Sequence, residues 1–305
     1  MAADPERERR VARAALLASE RPDRLLCVVG PTASGKTDLA IDVCARVGGE
    51  IVSADSVQIY RGFDIGSGKP TAEERTRAPH LLIDVLDPLE AADAMRYAAM
   101  AERAIADVRA RGKLPVLCGG TFFWVRALVL GLAPAPSADE AIRARHRAIA
   151  EERGRGALYD ELTRVDPKSA ARLHPNDFVR VSRALEVHEL SGRPMSEHQA
   201  DHGFRVPRMD STMIGVATSP EALTERIARR AEAWLAGGWI DEVRDLLARG
   251  YADSRAMSSV GYKEIHAHLA GALPREALRD AIVQSTRTFA RKQRTWLKSA
   301  PVEWL

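Results

Sequence analysis

The sequence predicts an α/β fold, a mainly parallel sheet flanked by helices and interrupted by a helical insertion, on three observations. Short β-branched runs alternate with helix-length amphipathic segments, as at 25–29, 38–47 and 114–118, a pattern that implies parallel pairing through right-handed crossovers. The first run ends directly in Gly30-Pro31-Thr32-Ala33-Ser34-Gly35-Lys36-Thr37, a strand that turns through a glycine-rich phosphate loop into a helix. After Leu132-Ala133-Pro134-Ala135-Pro136-Ser137 the alternation stops, and the residues up to about His202 are rich in helical pattern and poor in strand. The core is therefore expected to be P-loop NTPase-like. The expected organisation is a leader over 1–23, a core over 24–135 and 203–305, and a helical insertion over 136–202.

Each element has its own warrant. Met1 to Arg24 mixes acids and arginines around a short Ala/Leu stretch and lacks the apolar region and cleavage site of a secretory signal. A frayed or weakly helical leader in a cytoplasmic protein is expected. Arg24 to Val29 forms the first strand, and the helix Asp38 to Val47 presents Leu39, Ile41 and Val43 before closing at Gly48-Gly49, where glycine relieves a left-handed cap. Glu50 to Asp55 reads as a second buried strand that delivers Asp55 to the carboxyl edge of the sheet, where ligands gather in open α/β folds. A helix over about 92–111 leads to a third strand at Leu114 to Cys118, ending in Gly119-Gly120-Thr121, and a fourth strand lies within Ser211 to Thr218. From Pro220 to Trp304 the pattern is mostly helical, with a loop around Ser258 to Gly261.

Composition narrows the function. No apolar run approaches the roughly 18 residues that a membrane span needs, so no membrane partner is expected. Cys27, Cys44 and Cys118 sit in apolar surroundings without metal-ligand spacing, and buried, reduced thiols are expected. The eight histidines show no paired ligand spacing, and His174 is expected to cap the helix after it. A net charge of +3 is too mild to imply nucleic-acid binding. Its distribution says more: Arg275 to Lys298 carries seven basic residues against two acids, whereas Ser137 to His198 is balanced, so only individual arginines there argue for an anion.

The phosphate loop has a clear physical basis. Backbone N–H groups and a helix N-terminus face an anion, Lys36 adds a point charge, and the Thr37 hydroxyl suits a bound Mg2+ ion. Locally, Asp55 has three open roles: magnesium ligand, general base, or cap of the next turn. Gly119 and Gly120 allow close backbone approach while Thr121 offers a short hydroxyl, although a plain strand-to-helix turn has the same sequence. Arg226 and Arg230 share a helix face, and Trp296 and Trp304 are expected in the core.

The ordered set GPTASGKT, DSVQIYRGFDIGSGKP, APHLLIDVLDP, GGTFFWVRAL, HPNDFVRVSRALEV, SVGYKE and TRTFARKQRTWL resembles the signature blocks of tRNA dimethylallyltransferases from about Leu25 to Trp304. That resemblance implies transfer of a dimethylallyl group from dimethylallyl diphosphate to the exocyclic amine of the adenosine beside the anticodon, with magnesium. It implies Asp55 as the base that deprotonates the amine, and Thr121 and Arg230 as groups on the diphosphate. For the anticodon stem-loop of tRNA it implies Asp55, Ser56, Val57, Gln58 and Thr121, then Arg143, Arg180, Ser182 and Arg183, then Gly261, Tyr262 and Lys263. The basic C-terminal helix, with Arg287, Arg291, Lys292, Arg294 and Lys298, would add phosphate contacts. A monomer is expected. Relative to the family pattern, this chain has Trp124 in place of a common tyrosine, Ser67-Gly68 in place of Thr-Ala, and the small Ser258. The main rival is a small-molecule kinase, because the same loop cradles ATP in many α/β enzymes.

Overall fold

The computed structural model describes residues 4–204 and 206–305. The chain forms two compact units, one made of the segments up to Val129 and from Met209 onward, the other Leu130–Arg208. In the first unit α1 (Pro5–Glu20), β1 (Leu25–Val29), α2 (Lys36–Val47), β2 (Gly49–Ser53), α3 (Ala72–Arg77), β3 (His80–Leu81), α4 (Ala94–Ala110), β4 (Leu114–Gly119) and α5 (Phe122–Leu130) follow one another. The second unit holds α6 (Glu140–Arg153), α7 (Arg155–Val165), α8 (Pro167–Ala170), α9 (Phe178–Ser191) and α10 (Met195–His202). The chain returns to the first unit with β5 (Ser211–Gly215), α11 (Pro220–Ala236), α12 (Trp239–Ala248), α13 (Tyr262–Leu269), α14 (Arg275–Leu297) and β6 (Val302–Trp304).

The strands form one parallel sheet in the order β3-β2-β4-β1-β5-β6. Every residue of β1 is buried, as expected for a central parallel strand covered on both faces by crossover helices. Register decides what the sheet presents. Val28 lies opposite Cys118, and Ser53 also lies opposite Cys118, so β1, β2 and β4 end at one level. Their next residues, the loop from Gly30, Ala54-Asp55 and Gly120-Thr121, leave the same edge.

Several elements differ from the sequence reading. The leader, expected to be frayed or weakly helical, is a regular, packed helix: Asp4 caps α1 by accepting from the Glu6 amide, Pro5 starts it, and Val11, Ala14 and Ala18 join Leu39, Ile41, Val43 and Ile214 in one core. Small alanines let α1 lie close to α2, a packing signal hidden by the charged residues around it. β3 and β6 escaped detection because two and three residues carry no readable period. The helical unit runs over Leu130–Arg208 where 136–202 was expected, and within it Arg183 Nη2 donates to the Pro136 carbonyl at 2.6 Å. Its own small core gathers Leu158, Leu162, Val181 and Leu185.

Trp296 and Trp304 are not core residues, being 44% and 46% exposed. Trp304 lies on the edge strand β6, its ring against Gly215. The cap of α9 is Asp177, which accepts from the Arg180 amide. His174 instead accepts from the Asn176 amide at 3.1 Å. All three cysteines are free and buried, and burial pushes the Cys27 thiol up to about 12. Among the described residues no helix is long and apolar enough to cross a membrane.

Candidate active site

The phosphate loop is shaped by backbone conformation. Ala33 and Gly35 take left-handed φ values of 64° and 92°, which turn successive amides inward before α2 begins at Lys36. Lys36 Nζ folds back to the Pro31 carbonyl at 3.3 Å, and Arg226 Nη1 donates to the Ser34 carbonyl at 3.1 Å. Burial pushes the Lys36 ammonium down from the ordinary lysine range, the nearby Cys118 and Asp55 groups oppose the shift, and Arg230 adds to it. A polyanion seated in the loop would reverse that penalty.

Two glycines bring the third strand end against this loop. A Cβ on Gly119 would meet the Ala54 carbonyl at 2.2 Å, and one on Gly120 would meet the Gln293 side chain at 2.6 Å. The close approach lets the Thr121 amide donate to the Ala54 carbonyl at 3.2 Å and the Ser56 amide donate to Thr121 Oγ1 at 3.0 Å. Asp55 is held between them. Its Oδ1 accepts from the amides of Val57 and Gln58 at 2.9 and 3.2 Å, so it caps the next turn, while Oδ2 has no hydrogen-bond partner among the described residues. Capping and a free carboxylate oxygen therefore coexist in one side chain.

Arg230 enters from α11. Its Nη2 donates to Thr32 Oγ1 at 2.5 Å, its guanidinium carbon stands 4.5 Å from the centre of the Trp234 ring, and burial pushes its pKa down to about 10. The ion stays protonated at neutral pH in a site of low dielectric, where a charge acts strongly on whatever forms beside it. Asp55, Arg230 and Gln293 line two adjoining spaces. One, of about 90 Å³, also contains Lys36 and Thr37. The other, of about 300 Å³, is walled by Ile227, Trp234, Trp239, Val260, Ile282 and Phe289, and Ser56, Val57 and Thr121 also line it. A wider mouth of about 520 Å³ opens outside the loop, where Arg7 and Arg10 of α1 join Lys36, Arg226 and Arg230.

Other predicted residues are placed differently. Gln58 is fully engaged with protein: Nε2 donates to the Ser67 and Gly68 carbonyls at 3.1 and 2.9 Å, and Oε1 accepts from Ser53 at 3.2 Å. Gly261 lies against the Trp239 ring, Tyr262 is buried and donates to Glu242, and Lys263 is half exposed beside Glu264. In the helical unit Arg143 Nε and Nη2 donate to Glu186 at 2.9 and 3.2 Å, and Arg183 pairs with the same buried carboxylate. Ser182 is buried against His146 Nδ1 at 2.9 Å, and Arg180 pairs with Asp177 on the surface. Burial alone would raise the Glu186 carboxyl, but the hydrogen bonds from Arg143 and Arg183 outweigh it and hold it below the ordinary glutamate range.

Gln293, Trp234 and the α1 arginines were missed. Gln293 lies inside TRTFARKQRTWL, a block dominated by basic residues. The remaining signal was its helical phase, three residues beyond the buried Ala290 and four before the buried Leu297. For magnesium, the Thr37 hydroxyl and the Asp55 carboxylate line one chamber. Among the described residues no group of three or more His, Cys, Asp or Glu gathers. Such a sparse oxygen set fits a hard cation that completes its shell with phosphate oxygens and water.

Fold and site together define a class: an α/β enzyme of the P-loop type whose phosphate loop opens onto a half-buried carboxylate, a half-buried arginine and an apolar cavity. The IPP transferase family model matches residues 58–300, and an isopentenyl transferase model matches residues 23–90. The chain is 59% identical over 289 residues to a tRNA dimethylallyltransferase of Sorangium cellulosum, covering 95% of this chain and 92% of the relative. It is 43% identical over 284 residues to a tRNA dimethylallyltransferase of Geobacter sulfurreducens, covering 92% and 91%. Among solved structures, it is similar to the full-length tRNA isopentenylpyrophosphate transferase of Bacillus halodurans, with a TM-score of 0.68, 37% identity and coverage of 93% and 89%. A eukaryotic dimethylallyltransferase acting on tRNA gives a TM-score of 0.76 at 25% identity, covering 93% of this chain and 73% of that one. The chain belongs to the IPP transferase family.

Proposed function

We propose that this protein transfers the dimethylallyl group of dimethylallyl diphosphate to the exocyclic amine of the adenosine at position 37, 3′ of the anticodon, in tRNAs reading codons that begin with U. The products are N6-isopentenyladenosine and diphosphate, and the enzyme works as a cytoplasmic monomer. One observation carries the reading: Asp55 and Arg230 each face both the phosphate chamber and the apolar cavity. A donor with an anionic head and an apolar five-carbon tail needs both environments side by side.

The chemistry follows from the chain's own groups. The amine's lone pair forms the new bond to the allylic C1, the C1–O bond breaks with its electron pair going to the diphosphate, and the amine proton passes to Asp55 Oδ2. The Val57 and Gln58 amides hold Asp55 so that this oxygen is the one left open. Lys36, the loop amides and Arg230 hold the growing negative charge on the leaving group, in a pocket where such preorganised donors are worth several kcal/mol. The Thr37 hydroxyl would hold a magnesium ion, which would supply further charge neutralisation to the diphosphate. The target base leaves its stack to reach the cavity that Ser56 and Val57 line, and Arg143, Arg180, Arg183 and Lys263 are the cations offered to the anticodon stem-loop.

The test is direct. With dimethylallyl diphosphate, magnesium and unmodified tRNA the protein is expected to prenylate the base beside the anticodon, without consuming ATP. Phosphorylation of a small hydroxyl acceptor by ATP, with no product on tRNA, would reject the reading.

A further inference from the structure

We propose that Gln293 is a positioning residue for the phosphate site, a clamp on α14 that sets the phosphate loop and the Gly119–Thr121 turn against each other. The Thr32 amide donates to Gln293 Oε1 at 2.8 Å, and Gln293 Nε2 donates to the Gly120 carbonyl at 2.8 Å. Gln293 is 7% exposed; its bond to Gly120 is buried and its bond from Thr32 is partly buried, so water is a poor substitute for either. Gly120 has no room for a side chain because Gln293 Nε2 occupies the place of its Cβ, with the Gly30 carbonyl and Lys36 Nζ next nearest at 3.4 and 3.5 Å. One amide group thus joins two turns that differ by almost ninety positions in sequence.

Each turn carries a group of the proposed reaction. Thr32 holds Arg230 through its hydroxyl, and Thr121 follows Gly120 directly and fixes the Ser56 amide beside Asp55. Because its amide is taken by Gln293, Thr32 does not point that N–H at a phosphate as a free loop residue would. Its hydroxyl is turned toward Arg230 instead, at the boundary of the two spaces. Gln293 touches neither reacting atom; it acts through Thr32 and Gly120.

The inference rests on the prenyl-transfer reading, and the test separates the two. Gln293→Met keeps the volume and removes both hydrogen bonds. With the full-length protein, tRNA and magnesium, kcat/KM for dimethylallyl diphosphate is expected to fall about 30-fold, as loss of two buried partners implies. Binding of inorganic diphosphate by calorimetry should weaken in parallel and the melting temperature should fall by several degrees, because two backbone groups lose their partners, while tRNA affinity stays close to that of the wild type. Thr32→Val keeps the amide that Gln293 holds and removes the hydroxyl that this hold aims at Arg230, so in the double variant the losses should be less than additive. Wild-type donor kinetics in Gln293→Met, additive losses, or a loss that tracks tRNA affinity alone would overturn the positioning role. Absence of prenyl transfer by the unmutated protein would instead overturn the reading beneath it, and the diphosphate titration would still report on the clamp.

Discussion

Asp55→Asn separates two jobs that one side chain performs. Oδ1 accepts from the Val57 and Gln58 amides, and an asparagine oxygen can accept both, so the turn stays capped. What asparagine lacks is a basic second oxygen. Loss of a positioned general base costs about 10²- to 10⁴-fold in rate, roughly 3–5 kcal/mol of barrier. Asp55→Ala loses the base and the cap as well, and a lost cap removes about 1 kcal/mol of stability, or about 2–4 °C of melting temperature in a domain of this size. Both variants remove a negative charge that faces Lys36 and Arg230, so diphosphate should bind at least as tightly as before. Single-turnover transfer, diphosphate calorimetry and melting curves on the three proteins check each part. Normal transfer by Asp55→Asn would refute the base, and weaker diphosphate binding in both variants would show that Asp55 serves the metal instead.

Arg230→Met removes a half-buried charge-assisted donor beside the loop, and diphosphate affinity is expected to fall about 30-fold; unchanged binding by calorimetry would remove Arg230 from the anion site. Gly261→Ala places a Cβ at φ +90° and 2.0 Å from the Trp239 ring, and urea denaturation should show a loss of about 3 kcal/mol or more from overpacking and backbone strain. In the helical unit, Glu186 is held below its ordinary range, so its contribution is present above the unfolded glutamate value and is lost as pH falls through the depressed folded value. Glu186→Gln should cost about 1–2 kcal/mol, discounted because Arg143 and Arg183 are partly exposed, and should flatten the acid limb of stability followed by circular dichroism.

Local chemistry made part of this protein legible in the sequence. A strand running into GPTASGKT fixes an anion nest because glycine alone reaches those dihedrals cheaply and the following helix supplies its dipole. Buried β-branched runs announce a parallel core, and the 59%-identical relative matches what the ordered blocks suggested. Tertiary structure decided the rest. Whether α1 packs or frays depends on alanines meeting α2, and whether a tryptophan on an amphipathic helix is core or surface depends on what covers it. Asp55 resolved from three local options into a cap with a free oxygen only when β1, β2 and β4 ended in register. Gln293 became meaningful only when α14 laid its amide across two turns far apart in the chain, since hydrogen bonds between distant segments leave no period in a sequence.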